Sequence, residues 1–237
     1  MKLSPSSLKC FIGCERAWWL RYVSRVSENS GGDYLQKGRD YDEAVQAYVH
    51  GRPGTTELAA KQLAATRRHL PRENALTQVR LSYDLGGGDV LQGTTDIVVA
   101  DTERVLVIDT KTTADFQYAL NEETMLRDPQ VLIYAFLACV TYDMQTATMR
   151  WVYADKKANP RGWAVQVEVS REVGAAYVEE VVRPAVARMK QLEESDEQTE
   201  AAVEYRSCAR CWVVQHCDWH KGRTERPVLG RHLDVIA

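Results

Sequence analysis

The sequence predicts an α/β domain with a small metal-tied appendage, on three observations. Helical apolar spacing runs from the N-terminus to about Leu70. Strand-like runs then occupy Ala75–Thr110 and Thr146–Val169, with one helix between them. Beyond a last long helix, three cysteines crowd into the segment Cys208–Cys217. A chain of 237 residues can bury the substantial core that such a domain needs.

Ser4 or Ser7 suits the cap of a first helix through Leu8, Phe11 and Ile12, which Gly13 breaks ahead of Trp18, Trp19 and Tyr22. Gly31-Gly32 reads as a loop. The pattern from Asp33 to about His50 is helical and ends in the Gly51–Gly54 turn; a third helix covers Thr56 to Leu70 and stops at Pro71. Two strand-like runs, Ala75–Leu85 and Val90–Ala100, lie on either side of Gly86–Gly88. A third, Arg104–Thr110, contains the unbroken apolar stretch Val105–Ile108 expected of a strand covered on both faces. Asp128-Pro129 supplies a cap and a first-turn proline for a helix reaching Tyr142. Strands Thr146–Ala154 and Ala164–Val169 enclose a turn near Asn159–Gly162. A helix from about Arg171 to Glu194 leads through an acidic linker to the cysteines. The sequence has no internal repeat.

Composition narrows the function classes. The chain is 45% hydrophobic and 27% charged, with a net charge of −3, which is not the basic balance of a general nucleic-acid coat. Basic residues do gather at Arg16, Arg21, Arg25, Lys37 and Arg39, and again at Arg67, Arg68 and Arg72, while acid gathers at Glu193–Glu200. Such runs are more often solvated faces than sites. No apolar run approaches the roughly 20 residues that span a bilayer, and the first residues lack the apolar core of a signal peptide. A cytoplasmic protein without membrane partners is expected. There, six cysteines argue for metal or redox chemistry rather than structural disulfides.

The chemistry concentrates between Gly93 and Thr112. If Asp101–Arg104 turns a hairpin with an even-numbered loop, Asp96 lies opposite Asp109, and alternation puts Lys111 on the face of Asp109. Two carboxylates opposed across a sheet repel unless a cation or proton is shared. Hard oxygen ligands of this kind suit Mg²⁺ or Mn²⁺, and a lysine one step away could hold a phosphate or an attacking water. An isolated Asp-x-Lys usually means a strand end beside a solvated lysine; the opposed Asp96 shifts the balance toward a metal site. Gln130 and Tyr134, four residues apart on the next helix, share one face and lie one connection beyond the Asp-x-Lys strand.

The ordered set Gly93-x-x-Asp96, Ile108-Asp109-Thr110-Lys111-Thr112 and Gln130-x-x-x-Tyr134 resembles the PD-(D/E)XK nuclease superfamily, specifically its RecB-like branch. The resemblance implies a restriction-endonuclease-like core, a mixed central β-sheet flanked by helices, and metal-dependent cleavage of DNA phosphodiesters. It implies that Asp96 and Asp109, with the Thr110 carbonyl, bind the catalytic ion, and that Lys111 positions or deprotonates the water. Gln130 and Tyr134 would hold DNA or orient the lysine. That branch also carries an upstream Gly-x-x-x-His and acid motif, against which Gly38-Arg-Asp-Tyr-Asp42-Glu43 aligns with Asp42 in place of the metal-binding histidine. His50 is two helical turns away, roughly 12 Å, too far to replace it.

Some RecB-like nucleases, among them helicase–nuclease subunits and the CRISPR-associated nucleases of the adaptation stage, hold an iron–sulfur cluster. Their ligands are one cysteine before the core and a Cys-x₂-Cys-x₅-Cys set after it. Cys208, Cys211 and Cys217 have that spacing, and Cys14-Glu-Arg-Ala-Trp-Trp-Leu20 resembles the upstream segment, with Glu15 where the family has Pro. The resemblance therefore implies a [4Fe-4S] cluster on Cys14, Cys208, Cys211 and Cys217. Cys10, one helical turn from Cys14, could substitute, whereas Cys139 in an apolar helix reads as core. Read locally, the same segment could hold zinc on Cys208, Cys211, Cys217 and His220.

The expected organisation is a nuclease core over residues 31–194, with residues 1–30 and 195–237 forming the cluster-binding appendage. The expected activity is a Mg²⁺- or Mn²⁺-dependent exonuclease on single-stranded DNA or free ends, with a protein partner in recombination or CRISPR adaptation also consistent with the resemblance. Trp18, Trp19 or Trp212 beside arginines could stack bases. The alternative is a catalytically degenerate DNA-binding or assembly subunit whose cysteines hold zinc; a zinc-stapled protein-interaction module would leave the carboxylates unexplained.

Overall fold

The computed structural model describes residues 1–26, 32–52, 56–195, 208, 211 and 213–221. The chain divides into two compact units, one of Met1–Leu8 with Asn29–Val186, the other of Lys9–Glu28 with Ala187–Ala237.

The first unit is built on a six-stranded mixed sheet. Its strands are β1 (Lys2–Leu3), β2 (Ala75–Gly86), β3 (Asp89–Ala100), β4 (Val105–Thr113), β5 (Thr146–Asp155) and β6 (Gly162–Ser170). The order is β1-β3-β4-β5-β6, with β2 pairing along β3. Pairing is antiparallel for β2·β3, β3·β4 and β5·β6 and parallel for β1·β3 and β4·β5. The β2–β3 turn falls on Gly86, Gly87 and Gly88, whose φ of 84°, 63° and 82° lie where a side chain is strained. Asp101 closes the β3–β4 turn, its carboxylate accepting from the amides of Glu103 and Arg104 at 2.9 and 3.0 Å.

Helices cover both faces of this sheet. Helix α3 (Gly32–Val49) and helix α4 (Glu57–Thr66, capped by Thr56) cover one face. There Tyr41 and Val45 pack with Ile97, Ile108, Val152 and Ala154. Tyr41 is fully buried and its hydroxyl is 2.9 Å from Thr66 Oγ1, which sets the rotation of α3 against α4. Gly162 at the start of β6 permits close approach of α4, since a Cβ there would stand 2.3 Å from the Ala65 carbonyl oxygen.

On the other face lies α6 (Pro129–Thr141), buried without interruption from Val131 to Cys139, as its all-round apolar sequence requires. Asp128 caps it, accepting from Gln130 N at 2.9 Å. Cys139 is core, as its sequence context suggests. Helix α7 (Arg171–Tyr177) packs on α6 through Gly174, whose missing side chain leaves room for Phe136.

The sequence-based elements lie close to these bounds, and the departures have local causes. Ser4, not Ser7, caps α1 (Pro5–Gly13): the Ser7 amide donates to Ser4 Oγ at 3.1 Å. Gly32 begins α3 instead of ending a loop. The β4 strand continues to Thr113, so Lys111 lies within it. The expected helix from Arg171 widens into a π turn at Val178–Val182 before α8 (Arg183–Ser195). Pro184 lacks the amide that would bond Glu180, and the wider turn absorbs that loss. Two-residue β1 and four-residue α5 (Glu122–Met125) are too short to show a periodicity.

The second unit contains the C-terminal part of α1, α2 (Glu15–Trp18) continuing into a π turn (Trp19–Val23), and α9 (Asp218–Lys221). Phe11 meets Trp18 edge-on at 5.4 Å, and Arg188 reaches the Glu15 carboxylate at 3.3 Å. Among the described residues no helix is long and apolar enough to cross a membrane.

Candidate active site

The site lies where two strands part. Strand β2 follows one edge of β3 from Val90 to Val99, so β1 and β4 share the other edge. There β1 takes Val90–Leu91 and β4 takes Ile97–Ala100, leaving Gln92–Asp96 without a strand on that side. The even-loop register is present: Ile97 pairs with Ile108, Val98 with Val107 and Ala100 with Val105. One step further it would pair Asp96 with Asp109, but the ladder stops. Strand β4 runs on to Thr113 beside β5 alone.

Side chains fill the fork. Asp96 Oδ2 accepts from the Thr110 backbone amide at 2.7 Å and sits 3.0 Å from Thr110 Oγ1. The same hydroxyl lies 2.9 Å from Oδ1 of Asp42 on α3. A hydroxyl has one proton, so it cannot donate to both carboxylates. The second contact requires a proton on a carboxyl or a cation alongside. Burial, reinforced by the charge of Asp96, pushes the Asp42 carboxyl up to about 6. The backbone opposite is irregular too. Gln78, which the β2·β3 register places across from Asp96, has φ 53° and no ladder partner. That conformation costs a residue with a side chain about 1–3 kcal/mol.

Asp109 and Lys111 share the other face of β4, toward α6. Asp109 is 3% exposed; its Oδ1 accepts from Gln130 Nε2 at 3.2 Å. Its Oδ2 is ion-paired with Lys111 Nζ and has no hydrogen bond among the described residues. Burial drives the Asp109 carboxyl up to about 7 against the lowering influence of Lys111, with Asp96 and Asp42 adding to the rise. Burial opposes the Lys111 charge, but Asp109 outweighs it and raises the ammonium above its ordinary value. Tyr134 lies over Gly93, where a Cβ would come within 2.5 Å of its ring, and donates to the Thr94 carbonyl at 2.8 Å. Burial pushes the phenol up to about 12, so it acts as a donor.

The six predicted side chains, together with Thr110, fall into three sets of contacts: Asp42–Thr110–Asp96, Gln130–Asp109–Lys111, and Tyr134 on Thr94. Gln130 and Tyr134 bind Asp109 and a carbonyl, and neither orients Lys111 directly. The Thr110 hydroxyl and the strained Gln78 had no sequence signal. The donors are hard oxygens, three carboxylates against the single ammonium of Lys111, which fits Mg²⁺ or Mn²⁺. Among the described residues no three His, Cys, Asp or Glu side chains already stand together as a metal cage.

Other expectations are corrected. Trp18 and Trp19, offered as base-stacking residues, are 2% and 8% exposed and belong to the core, while Trp212 lies outside the described residues. The reading of His50 is unchanged: it follows α3 with its ring nitrogen 2.8 Å from Thr77 Oγ1.

The cysteines belong to the second unit. The amides of Cys211, Val214 and Cys217 bond the carbonyls of Cys208, Cys211 and Val214, each at 3.2 Å, stepping the chain three residues at a time. Cys14 is buried and extended at the start of α2. Burial raises the Cys211 thiol, and its other influences include Cys14 and Cys217; Cys10 likewise feels Cys14 and Cys211. The His220 side chain lies outside the described residues.

Comparison with known proteins agrees with this architecture. The family model of the PD-(D/E)XK nuclease superfamily matches residues 2–83 and 57–218. No curated protein matches the sequence. A crystal structure named "Putative exonuclease" from Eubacterium rectale aligns with a TM-score of 0.54 at 14% identity, covering 98% of this chain and 91% of that one. The crystal structure of SSO0001 aligns at 0.52 and 13%, covering 92% and 86%. At such identities the likeness is one of fold.

The raised Asp42 carboxyl makes a pH prediction. The folded chain holds a proton there that the unfolded chain releases near pH 3.8. In chelator, this contribution to stability is full below that value and is lost as pH rises toward about 6. Urea titrations of Asp42→Asn should show a flatter fall across this window than wild type.

Proposed function

The chain belongs to the PD-(D/E)XK nuclease superfamily, and from that membership we propose that it is a Mg²⁺- or Mn²⁺-dependent DNA exonuclease acting on single-stranded or free ends in a cytoplasmic setting. The observation that carries the reading is the Thr110 hydroxyl held between the carboxylates of Asp42 and Asp96, a contact one positive charge short. Asp42, Asp96 and Asp109, with the Thr110 carbonyl, would hold the divalent ion. Such an ion supplies a hydroxide-generating and charge-neutralising centre at the phosphodiester.

The protein's own groups divide the remaining work. Lys111, kept charged by Asp109, is a cation rather than a base. Its role is to hold the water and phosphate and to offset charge developing on the phosphate oxygens. Gln130 fixes the Asp109 carboxylate, and Tyr134 holds the open edge of β3 through Thr94. The degenerate-subunit reading rests on Asp42 standing where the resemblance has histidine. Its contact with Thr110 gives that carboxylate a place in the same group.

End-labelled single-stranded DNA with Mn²⁺ tests the activity. Wild type should release mononucleotides from an end, and Asp109→Ala and Lys111→Ala should each lose at least about a hundredfold. Equal degradation by all three would contradict the assignment.

We propose further that Cys14, Cys208, Cys211 and Cys217 hold a [4Fe-4S] cluster that staples the second unit. Support comes from the spacing and from the effect of Cys14 and Cys217 on the Cys211 thiol, which burial chiefly raises. Anaerobically purified protein should be brown, absorb broadly near ~400 nm and lose that band in Cys14→Ser. Colourless protein with one zinc per chain would contradict it.

A further inference from the structure

Beside the carboxylates lies a group of aromatic side chains that the proposed hydrolysis does not use. In the β4·β5 ladder Lys111 pairs with Tyr153, and in the β5·β6 ladder Tyr153 pairs with Trp163. Paired positions share a face of the sheet, so Lys111, Tyr153 and Trp163 form one row on the face of Asp109. Two strand spacings, roughly 10 Å, separate the lysine strand from the tryptophan strand. Tyr153 is buried, and its hydroxyl accepts from the Leu120 amide at 3.1 Å. Its ring underlies Trp163, with centroids 6.0 Å apart and planes inclined by 26°. Phe116 meets the indole edge-on at 6.3 Å, and the Arg161 guanidinium lies 5.1 Å over the Phe116 ring.

Trp163 is nonetheless 39% exposed. A tryptophan fixed by two aromatic neighbours and open to solvent presents a rigid π surface, and its ordering cost is already met in the free protein. Charges of both signs lie nearby. Lys111 stands in the same row, and Arg161 is paired with the fully buried Asp155 at 3.1 Å. Trp163 also lines an open hollow with Asn121, Glu122 and Glu123. Those carboxylates repel a phosphate but tolerate a base. A nucleic-acid strand here would carry its phosphates toward Lys111 and turn a base onto the indole.

We propose that Trp163, held by Tyr153 and Phe116, is a stacking platform for an unpaired base next to the scissile phosphate, and so selects single-stranded or frayed ends. The proposal rests on the nuclease reading and adds the residue that discriminates the substrate. A base paired in a duplex has its faces covered by its neighbours and cannot stack there without being unstacked first.

The test uses the full-length protein with Mn²⁺ and single-stranded oligonucleotides, either intact or abasic at the terminal nucleotides. Trp163→Ala should raise KM for the intact strand by about tenfold, the scale of one base–aromatic stack, with kcat within about twofold. Trp163→Phe, which keeps a ring, should recover most of that loss. Wild type should prefer the intact strand over the abasic one, and Trp163→Ala should not. Unchanged KM in Trp163→Ala, or the same abasic discrimination in wild type and variant, overturns the platform while leaving the nuclease intact. A strand that quenches tryptophan fluorescence in wild type but not in Trp163→Phe, without being cleaved, supports the platform and sinks the nuclease reading. A wild type that neither binds nor cleaves overturns both.

Discussion

The parting of β3 from β4 beyond the Ile97–Ile108 pair is the constraint on which the site depends. While two strands stay paired, their amides and carbonyls satisfy one another and leave no room for a ligand. Once they separate, every polar group along both open edges needs another partner. Here Asp96 takes the Thr110 amide and Tyr134 takes the Thr94 carbonyl, so the opening is maintained by side chains that double as candidate functional groups. The fork thereby converts a backbone problem into a concentration of carboxylates. Strand β1 closes the far end on Val90 and Leu91, which limits the opening to a few residues.

Helices on both faces keep the fork in shape. On one side Tyr41 is locked against Thr66 in the core, which turns the next residue, Asp42, toward Thr110. On the other, α6 is apolar all round and buried from Val131 onward, so Gln130 at its first turn is carried to Asp109 by a helix that cannot rotate freely. Gly93 lets the Tyr134 ring lie where any larger residue would collide. The buried carboxylates and the left-handed Gln78 oppose folding, and the apolar packing around them offsets that cost. Strain and unpaired charge gathered at one place are what a functional site looks like in energetic terms.

Much of this was legible in the sequence for physical reasons. The unbroken apolar run Val105–Ile108 announced a covered strand. Asp101–Arg104 offered a turn whose even-loop register, one of those left open, is the one present, and Asp128-Pro129 marked the start of α6. Because side chains alternate along a strand, Asp109 and Lys111 had to share a face. What the sequence hid were the consequences of three-dimensional closeness. The ladder ends one pair before Asp96 and Asp109, so those carboxylates do not simply face each other; one is bridged through Thr110. Trp18 and Trp19, beside arginines, resembled a binding surface, yet they pack into the core of their unit. Among the described tryptophans, Trp163, with no motif around it, is the one left open. Exposure of a tryptophan is decided by which neighbours run out, and single-residue patterns do not encode that.

If the fork between β3 and β4 is the divalent-cation site of the proposed nuclease, Asp96 is indispensable to it. Calorimetric titration of Mn²⁺ into the metal-free protein at neutral pH tests it without reference to any substrate. Wild type should bind saturably, and binding should be lost in Asp96→Asn, a change that preserves shape and removes one negative charge. Equal Mn²⁺ binding by Asp96→Asn and wild type, or none by either, would contradict it.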